Sequence, residues 1–174
     1  MKIVPLDQQE YKDFELDCHY MTRAFYDVII KKKRDIHIKI KRKKMRKQEK
    51  GFTSKLFESH IEKPEVYGIF DKKKLIAAIE GSLETWNNRF RIWNFWVDKK
   101  YRREGFGTYL FKYVVDRAIT LGARAVILEV QSCNDPAISF YLSQGLHFVG
   151  LNTMEYSNQD IEQKEVRLEM ARRL

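Results

Sequence analysis

Val97-Asp98-Lys99-Lys100-Tyr101-Arg102-Arg103-Glu104-Gly105-Phe106-Gly107-Thr108 is the stretch on which the reading of the fold turns. Just before it, Arg-Ile-Trp-Asn-Phe-Trp-Val at 91–97 is apolar on both faces, as a central strand should be. Just after it, Leu110, Phe111, Val114, Ala118 and Leu121 recur at helical spacing, and Gly122 supplies a left-handed stop. A buried strand therefore runs into a basic, glycine-containing loop that opens directly onto a helix. The free N–H groups at a helix start, together with its dipole, favour an anion such as phosphate. Gly105 and Gly107 lack a β-carbon, so backbone can approach phosphate oxygens closely. Arg102 and Arg103 add charge suited to paired hydrogen bonds. The stretch reads as an anion site, with a solvated turn as the plainer alternative.

Working outward, residues 66–70 and 75–83 flank the turn Asp71-Lys72-Lys73-Lys74 and read as a hairpin. Residues 125–130 form an apolar strand broken only by Glu129. A second helix follows, with Asp135 suited to cap it, Pro136 to its first position and Gly145 to its end. Residues 146–151 and 165–170 complete the sheet. Towards the N-terminus, 14–20 and 24–30 look strand-like, which makes Cys18 a strand residue. Ile36, Ile38 and Ile40 alternate with His37, Lys39 and Lys41, the pattern of a half-buried strand. A short helix is expected over 53–60, capped by Thr53, with Pro64 beyond its end. The expected class is α/β, one domain over 1–174 with a mixed central sheet of about six or seven strands and helices on both faces.

The chain resembles the GNAT acetyltransferase superfamily in two motifs. Arg102-Arg103-Glu104-Gly105-Phe106-Gly107 matches in full the family's acetyl-CoA signature of Arg or Gln, two residues, Gly, one residue, then Gly or Ala. A second signature, Asn-x-x-Ala-x-x-Phe-Tyr-x-x-x-Gly-Phe, matches at Asn134, Ala137, Phe140, Tyr141 and Gly145, and departs at Leu146, where Phe is usual. The likeness covers roughly residue 66 to the C-terminus. It implies acetyl-CoA as co-substrate and no metal. It also implies that backbone groups of Phe95, Trp96 and Val97 bind the pantetheine arm. Backbone N–H groups of Arg103, Glu104, Gly105, Phe106, Gly107 and Thr108 would hold the pyrophosphate, and Asn134 would meet the pantetheine or its surroundings. Tyr141 would protonate the departing thiolate, a donor of ordinary pKa ~10 facing a base of comparable strength. Its plainer alternative is a core aromatic on the Ala137–Phe140 helix face. Glu80 and Glu84 share a strand face; Glu80 is the candidate general base, with an exposed strand-end carboxylate as the alternative. No Cys/His or Ser/His/Asp arrangement suggests a covalent enzyme intermediate, so transfer is expected to be direct.

Within that superfamily, Glu84-Thr85-Trp86-Asn87-Asn88-Arg89-Phe90-Arg91-Ile92 and Asn152-Thr153-Met154-Glu155-Tyr156 look like parts of streptothricin acetyltransferases. This implies a small-molecule amine as acceptor, in that case the β-lysine amine of a cationic antibiotic. Trp86 packing the strand end is the bland alternative. Charge complicates the choice. Residues 31–50 hold twelve Lys or Arg against Asp35 and Glu49, a local +10, so the rest of a chain of net charge +9 sums to −1. Such a segment facing a cationic acceptor would repel it. A solvated basic strand or hairpin insertion is one reading. Docking of acidic protein substrates, or binding of nucleic acid or ribosome on a GNAT platform, are the others. No stretch approaches the ~20 apolar residues of a membrane span. Two cysteines, Cys18 and Cys133, without metal-ligand spacing, suit a reducing cytoplasm. The expected assembly is a monomer or homodimer.

Overall fold

The computed structural model describes residues 1–32 and 34–174. In chain order its elements are β1 (Ile3–Pro5), α1 (Gln8–Tyr11), β2 (Glu15–Asp17), β3 (Tyr20–Lys32), β4 (Ile36–Lys50), β5 (Thr53–Lys55), β6 (Glu65–Asp71), β7 (Lys74–Glu84) and β8 (Arg89–Val97). A single 3-10 turn (Lys99–Tyr101) leads to α2 (Phe106–Thr120), β9 (Ala125–Gln131), α3 (Asp135–Ser143), β10 (His147–Asn152), α4 (Asp160–Gln163) and β11 (Arg167–Arg173). Seven strands form one mixed sheet in the order β1-β6-β7-β8-β9-β11-β10, as the expected α/β class requires. Two further sheets are two-stranded, β2 with β5 and β3 with β4. Lys33, one of the basic residues of 31–50, lies outside the described residues.

The chain divides into two units. The first comprises Met1–Cys18, Phe52–Leu128 and Arg172–Leu174. Here α2 packs against β6, β7 and β8. Its spacing buries Leu110, Phe111, Val114, Val115 and Ala118, and each large apolar side chain so buried contributes about 1.5–3 kcal/mol. Gly122 takes the expected left-handed conformation after the helix, at φ +73°. A second cluster gathers Leu16, Leu56, Phe57, Val66, Leu75 and Trp96.

That cluster explains two departures from the sequence reading. The expected helix over 53–60 is absent; Thr53–Lys55 instead pairs with Glu15–Asp17 as strands, with Leu16 opposite Ser54. Leu16 and Leu56 are fully buried, and Phe57 sits at φ +58°, a left-handed conformation that no α-helix continues through. The strand expected over 14–20 shrinks to Glu15–Asp17. Cys18 lies past its end, with its N–H bonded to the Phe52 carbonyl.

The second unit comprises His19–Gly51 and Glu129–Ala171. Strand β3 packs against α3 and buries Tyr20, Thr22, Ala24, Phe25, Tyr26 and Val28. Its hairpin partner β4 has no buried residue among those described. The half-buried strand expected at 36–40 is therefore corrected: Ile36 is 72% exposed and Ile38 55%. Alternation tells which residues share a face; it does not supply a layer to cover that face. The cap of α3 is also corrected by one residue. Asn134 is the cap, its Oδ1 accepting the Ala137 N–H at 3.2 Å. Asp135 enters the helix and takes a two-pronged contact from Arg42, at 2.6 and 3.0 Å.

Candidate active site

The first unit carries the loop singled out by the sequence. Asp98 opens it, one carboxylate oxygen accepting the Lys100 N–H at 2.9 Å and the other held by Lys74 at 2.6 Å. Lys74 and the Lys100 N–H hold the Asp98 carboxyl below the usual carboxylate range. Arg102 turns back, its Nε donating to the Val97 carbonyl at 2.9 Å. One of the two expected phosphate-binding arginines thus shapes the loop by tying it to the end of β8. Arg103 is exposed and left-handed at φ +69°. Gly105 is the N-cap of α2 at φ +90°, with no side chain capping the helix and no acid in its first turn. The helix ladder begins with the Tyr109 N–H on the Gly105 carbonyl at 3.0 Å. The N–H groups of Phe106, Gly107 and Thr108 precede that bond, and such groups lie outside an α-helix's own ladder. A β-carbon added at Gly105 would meet nothing within 4 Å. The helix start is open, rich in N–H groups and without an acid in its first turn, which fits a phosphate-bearing ligand.

The strand feeding the loop is irregular at a defined place. Glu80 pairs with Asn94 and Gly81 with Ile92, so Trp93 is an extra residue in β8. Such a bulge bends and twists the strand. The parallel register of β8 with β9 runs from Arg89 opposite Ala125 to Ile92 opposite Leu128 and ends there. Strand β8 continues through Phe95, Trp96 and Val97. Gly81 permits the close approach at the bulge: a β-carbon there would lie 2.2 Å from the Phe90 ring. Trp96 donates its indole N–H to the Asp17 carbonyl at 2.8 Å.

Glu80 is fully buried, not the exposed carboxylate of the alternative reading. Its Oε1 accepts the N–H of Phe57 at 2.8 Å and its Oε2 the Nδ2 of Asn94 at 2.7 Å. Asn94 also donates to the Lys55 carbonyl at 3.0 Å and accepts from the Ser54 hydroxyl at 2.6 Å. Burial raises the Glu80 pKa, and the Asn94 and Phe57 donors pull against it. Sequence reasoning missed Asn94, although an Asn in the middle of an apolar central strand announces a buried polar partner. It missed Trp93 as well, whose ring lies edge-on to His60 at 5.5 Å and whose N–H bonds to Ser82 at 2.9 Å. Glu84 is held by Arg91 at 2.7 Å and Arg89 at 3.0 Å. Burial works to raise its pKa, but the two arginines bring it below the ordinary value. Trp86 is 81% exposed beside the Arg89 guanidinium, so it does not pack the strand end.

Asn134 and Tyr141 belong to the second unit. Asn134 uses its carbonyl oxygen as the helix cap described above. Tyr141 is buried on α3, and its backbone carbonyl accepts from Gln144 and Leu146 where the helix ends at Gly145. Cys133 is buried 3.3 Å from the Tyr20 hydroxyl, and burial pushes its thiol pKa up.

Comparisons with known proteins place this geometry. The model of the acetyltransferase (GNAT) family matches residues 32–146, which include both motifs. A streptothricin acetyltransferase of Streptomyces lavendulae is 36% identical over 75 residues, 43% of this chain and 40% of the relative, so the match spans well under half the relative's length. Among solved structures, nourseothricin acetyltransferase superposes with a TM-score of 0.75 at 20% identity, covering 99% of this chain and 97% of the other. A protein of Bacillus anthracis str. Ames, named for streptothricin acetylation and solved with acetyl coenzyme A, gives a TM-score of 0.79 at 21% identity over 99% of both chains. The two distant superpositions speak for the fold, and the family match speaks for descent. This chain belongs to the acetyltransferase (GNAT) family.

Proposed function

We propose that the protein is an acetyl-CoA-dependent N-acetyltransferase acting on a primary amine of a small molecule, with a streptothricin-like antibiotic as the leading candidate. The observation that carries the reading is the open, uncapped start of α2 at Gly105, with no acid in its first turn. It supports a diphosphate held by the N–H groups of Arg103 to Thr108. Acetyl-CoA would supply the acetyl group as a thioester. Phe95, Trp96 and Val97, beyond the last pair that β8 makes with β9, are assigned to the pantetheine arm. Val97 has its carbonyl engaged by Arg102, so its remaining lone pair is the one on offer.

In this reading Tyr141 protonates the leaving thiolate and Asn134 shapes the turn ahead of its helix. Glu80 takes the proton released by the amine. Burial raises its proton affinity, which suits a base, and each oxygen keeps a lone pair beyond the donor it already binds. Because Glu80 is buried, the proton would reach it through a water rather than directly. Holding amine and thioester in line would supply much of the rate. A cytoplasmic setting is proposed on the two free thiols; among the described residues no helix is long and apolar enough to cross a membrane.

The test is thiol release from acetyl-CoA with streptothricin, polyamines and basic peptides as acceptors. Streptothricin should give the highest kcat/KM. Tyr141→Phe should lower kcat by about 10²-fold or more, the range of general acid catalysis, while acetyl-CoA affinity stays within about threefold. Turnover unchanged in Tyr141→Phe would remove it as the acid, and no thiol release with any amine would remove the reading.

A further inference from the structure

We propose that the β3–β4 ribbon is a docking surface for double-stranded DNA, gripped through its phosphates and without regard to sequence. The two strands of the ribbon are used differently. β3 buries six residues against its own unit, whereas β4, fifteen residues long, is exposed or only half-covered throughout. Antiparallel strands ordinarily bury one face, so a long strand wet on both faces calls for an explanation.

The register assigns each face a task. On one face Ile38 stands opposite Ile30 and Ile40 opposite Val28, cross-strand apolar pairs that hold a ribbon together. On the other, Lys39, Lys41 and Lys43 follow one another along β4 opposite Ile29, Asp27 and Phe25. Successive positions on a face are ~6.8 Å apart, so cations are laid out at regular steps. Lys44, opposite Ala24, is exposed as well, and so are Arg46 and Lys47 in the irregular stretch between the Ala24 and Thr22 pairings. Asp27 engages Lys43, Asp135 engages Arg42 and Glu165 engages Lys50, which leaves most of the +10 of this segment without a carboxylate among the described residues. Like charges so crowded repel one another, and a polyanion relieves that repulsion.

The choice of duplex DNA follows from shape. A two-stranded ribbon fits the ~12 Å major groove of B-form DNA, whereas the deep, narrow major groove of an RNA duplex does not admit it. Single strands are held largely by aromatic stacking, and β4 contains no Phe, Tyr or Trp. With phosphate contacts alone, binding is sequence-independent and depends steeply on salt.

The test is fluorescence anisotropy of a labelled duplex of about 20 base pairs, longer than the ~50 Å of β4, titrated with the full chain at several salt concentrations. The logarithm of affinity should fall against that of salt with a slope of about −3 or steeper. The triple variant Lys39→Gln/Lys41→Gln/Lys44→Gln should flatten the slope by about 2 to 3 and weaken binding at low salt about tenfold or more. Lys72→Gln/Lys73→Gln, in the exposed turn after β6, should change affinity by no more than about twofold. Circular dichroism checks the fold; should the triple variant unfold, Lys39→Gln and Lys41→Gln singly should each flatten the slope by about one. No binding at low salt, an unchanged slope in the folded variants, or tighter binding of an RNA duplex or of phosphatidylserine-rich vesicles would each overturn the proposal.

Discussion

Two basic regions of this chain use charge in opposite ways. The loop from Val97 to Thr108 concentrates its effect in backbone: left-handed Arg103 and Gly105, a helix start without a cap, and an arginine tied to the strand that precedes it. The β4 strand places its charge on long exposed side chains with no buried residue to fix them. Backbone donors aligned by a fold are preorganised and point at one place. Lysines on a wet strand are mobile, act at the range of the Debye length and are weakened by salt. High pI alone would have ranked the second region first. The chemistry proposed here ranks the first one higher because its geometry is fixed.

The comparison is broken most directly by changing each region in turn. Gly105→Val forces a β-branched residue into a left-handed conformation that costs about 1–2 kcal/mol or more, and places methyl groups in the open space before the helix. It should weaken acetyl-CoA binding by about tenfold or more, read by calorimetry, whereas Lys39→Gln/Lys41→Gln/Lys44→Gln should leave that affinity within about twofold. Equal losses in both would mean that bulk charge, not backbone, attracts the ligand.

Next in size is the buried polar group beneath the bulge. Glu80→Ala strands the Phe57 N–H and the Asn94 amide in the interior, a loss of about 1–3 kcal/mol in stability by chemical denaturation. Glu80→Gln should cost less while still lowering turnover. A variant with full turnover and reduced stability would make Glu80 a structural residue. The pH dependence has a defined sign. Because burial raises the folded-state pKa above the ordinary 4.5, the folded chain retains a proton that the unfolded chain has already released. Stability from this group is therefore present below pH 4.5, declines as pH rises towards the folded value, and is flat beyond it. Glu80→Gln should abolish that slope.

The smallest effect belongs to the exposed arm. Arg42→Gln breaks a two-pronged contact with Asp135 in which the arginine is solvent-exposed, and should lower the denaturation midpoint less than Glu80→Ala does. A larger loss would mean that β4 is anchored more firmly than its burial suggests.

The parts of the fold that were legible in sequence are those where local chemistry and packing agree. The run from an apolar strand into a glycine-bearing loop and an amphipathic α2 was readable, as was the hairpin of β6 and β7, because turn residues bounded periodic stretches. The region from 53 to 60 was misread because its outcome depends on Leu16, distant in sequence, whose strand pairs with it. Ile36 and Ile38 were misread because burial depends on a covering layer that no local pattern encodes. Of the candidate site residues, Gly105 and Tyr141 are nominated by motifs alone. The bonds from Asn94 and Phe57 to Glu80 were not, because a bulge at Trp93 set them in register. The tie from Arg102 to Val97 was hidden for a similar reason: a basic loop residue looks the same in sequence whether it meets a ligand or its own backbone.

A crystal structure of the full chain with acetyl-CoA would show whether the start of α2 holds the diphosphate. The account predicts diphosphate oxygens about 2.7–3.2 Å from backbone nitrogens between Arg103 and Thr108, with Gly105 still left-handed. Acetyl-CoA bound with its diphosphate elsewhere, or a loop closed over by its own side chains, would contradict it.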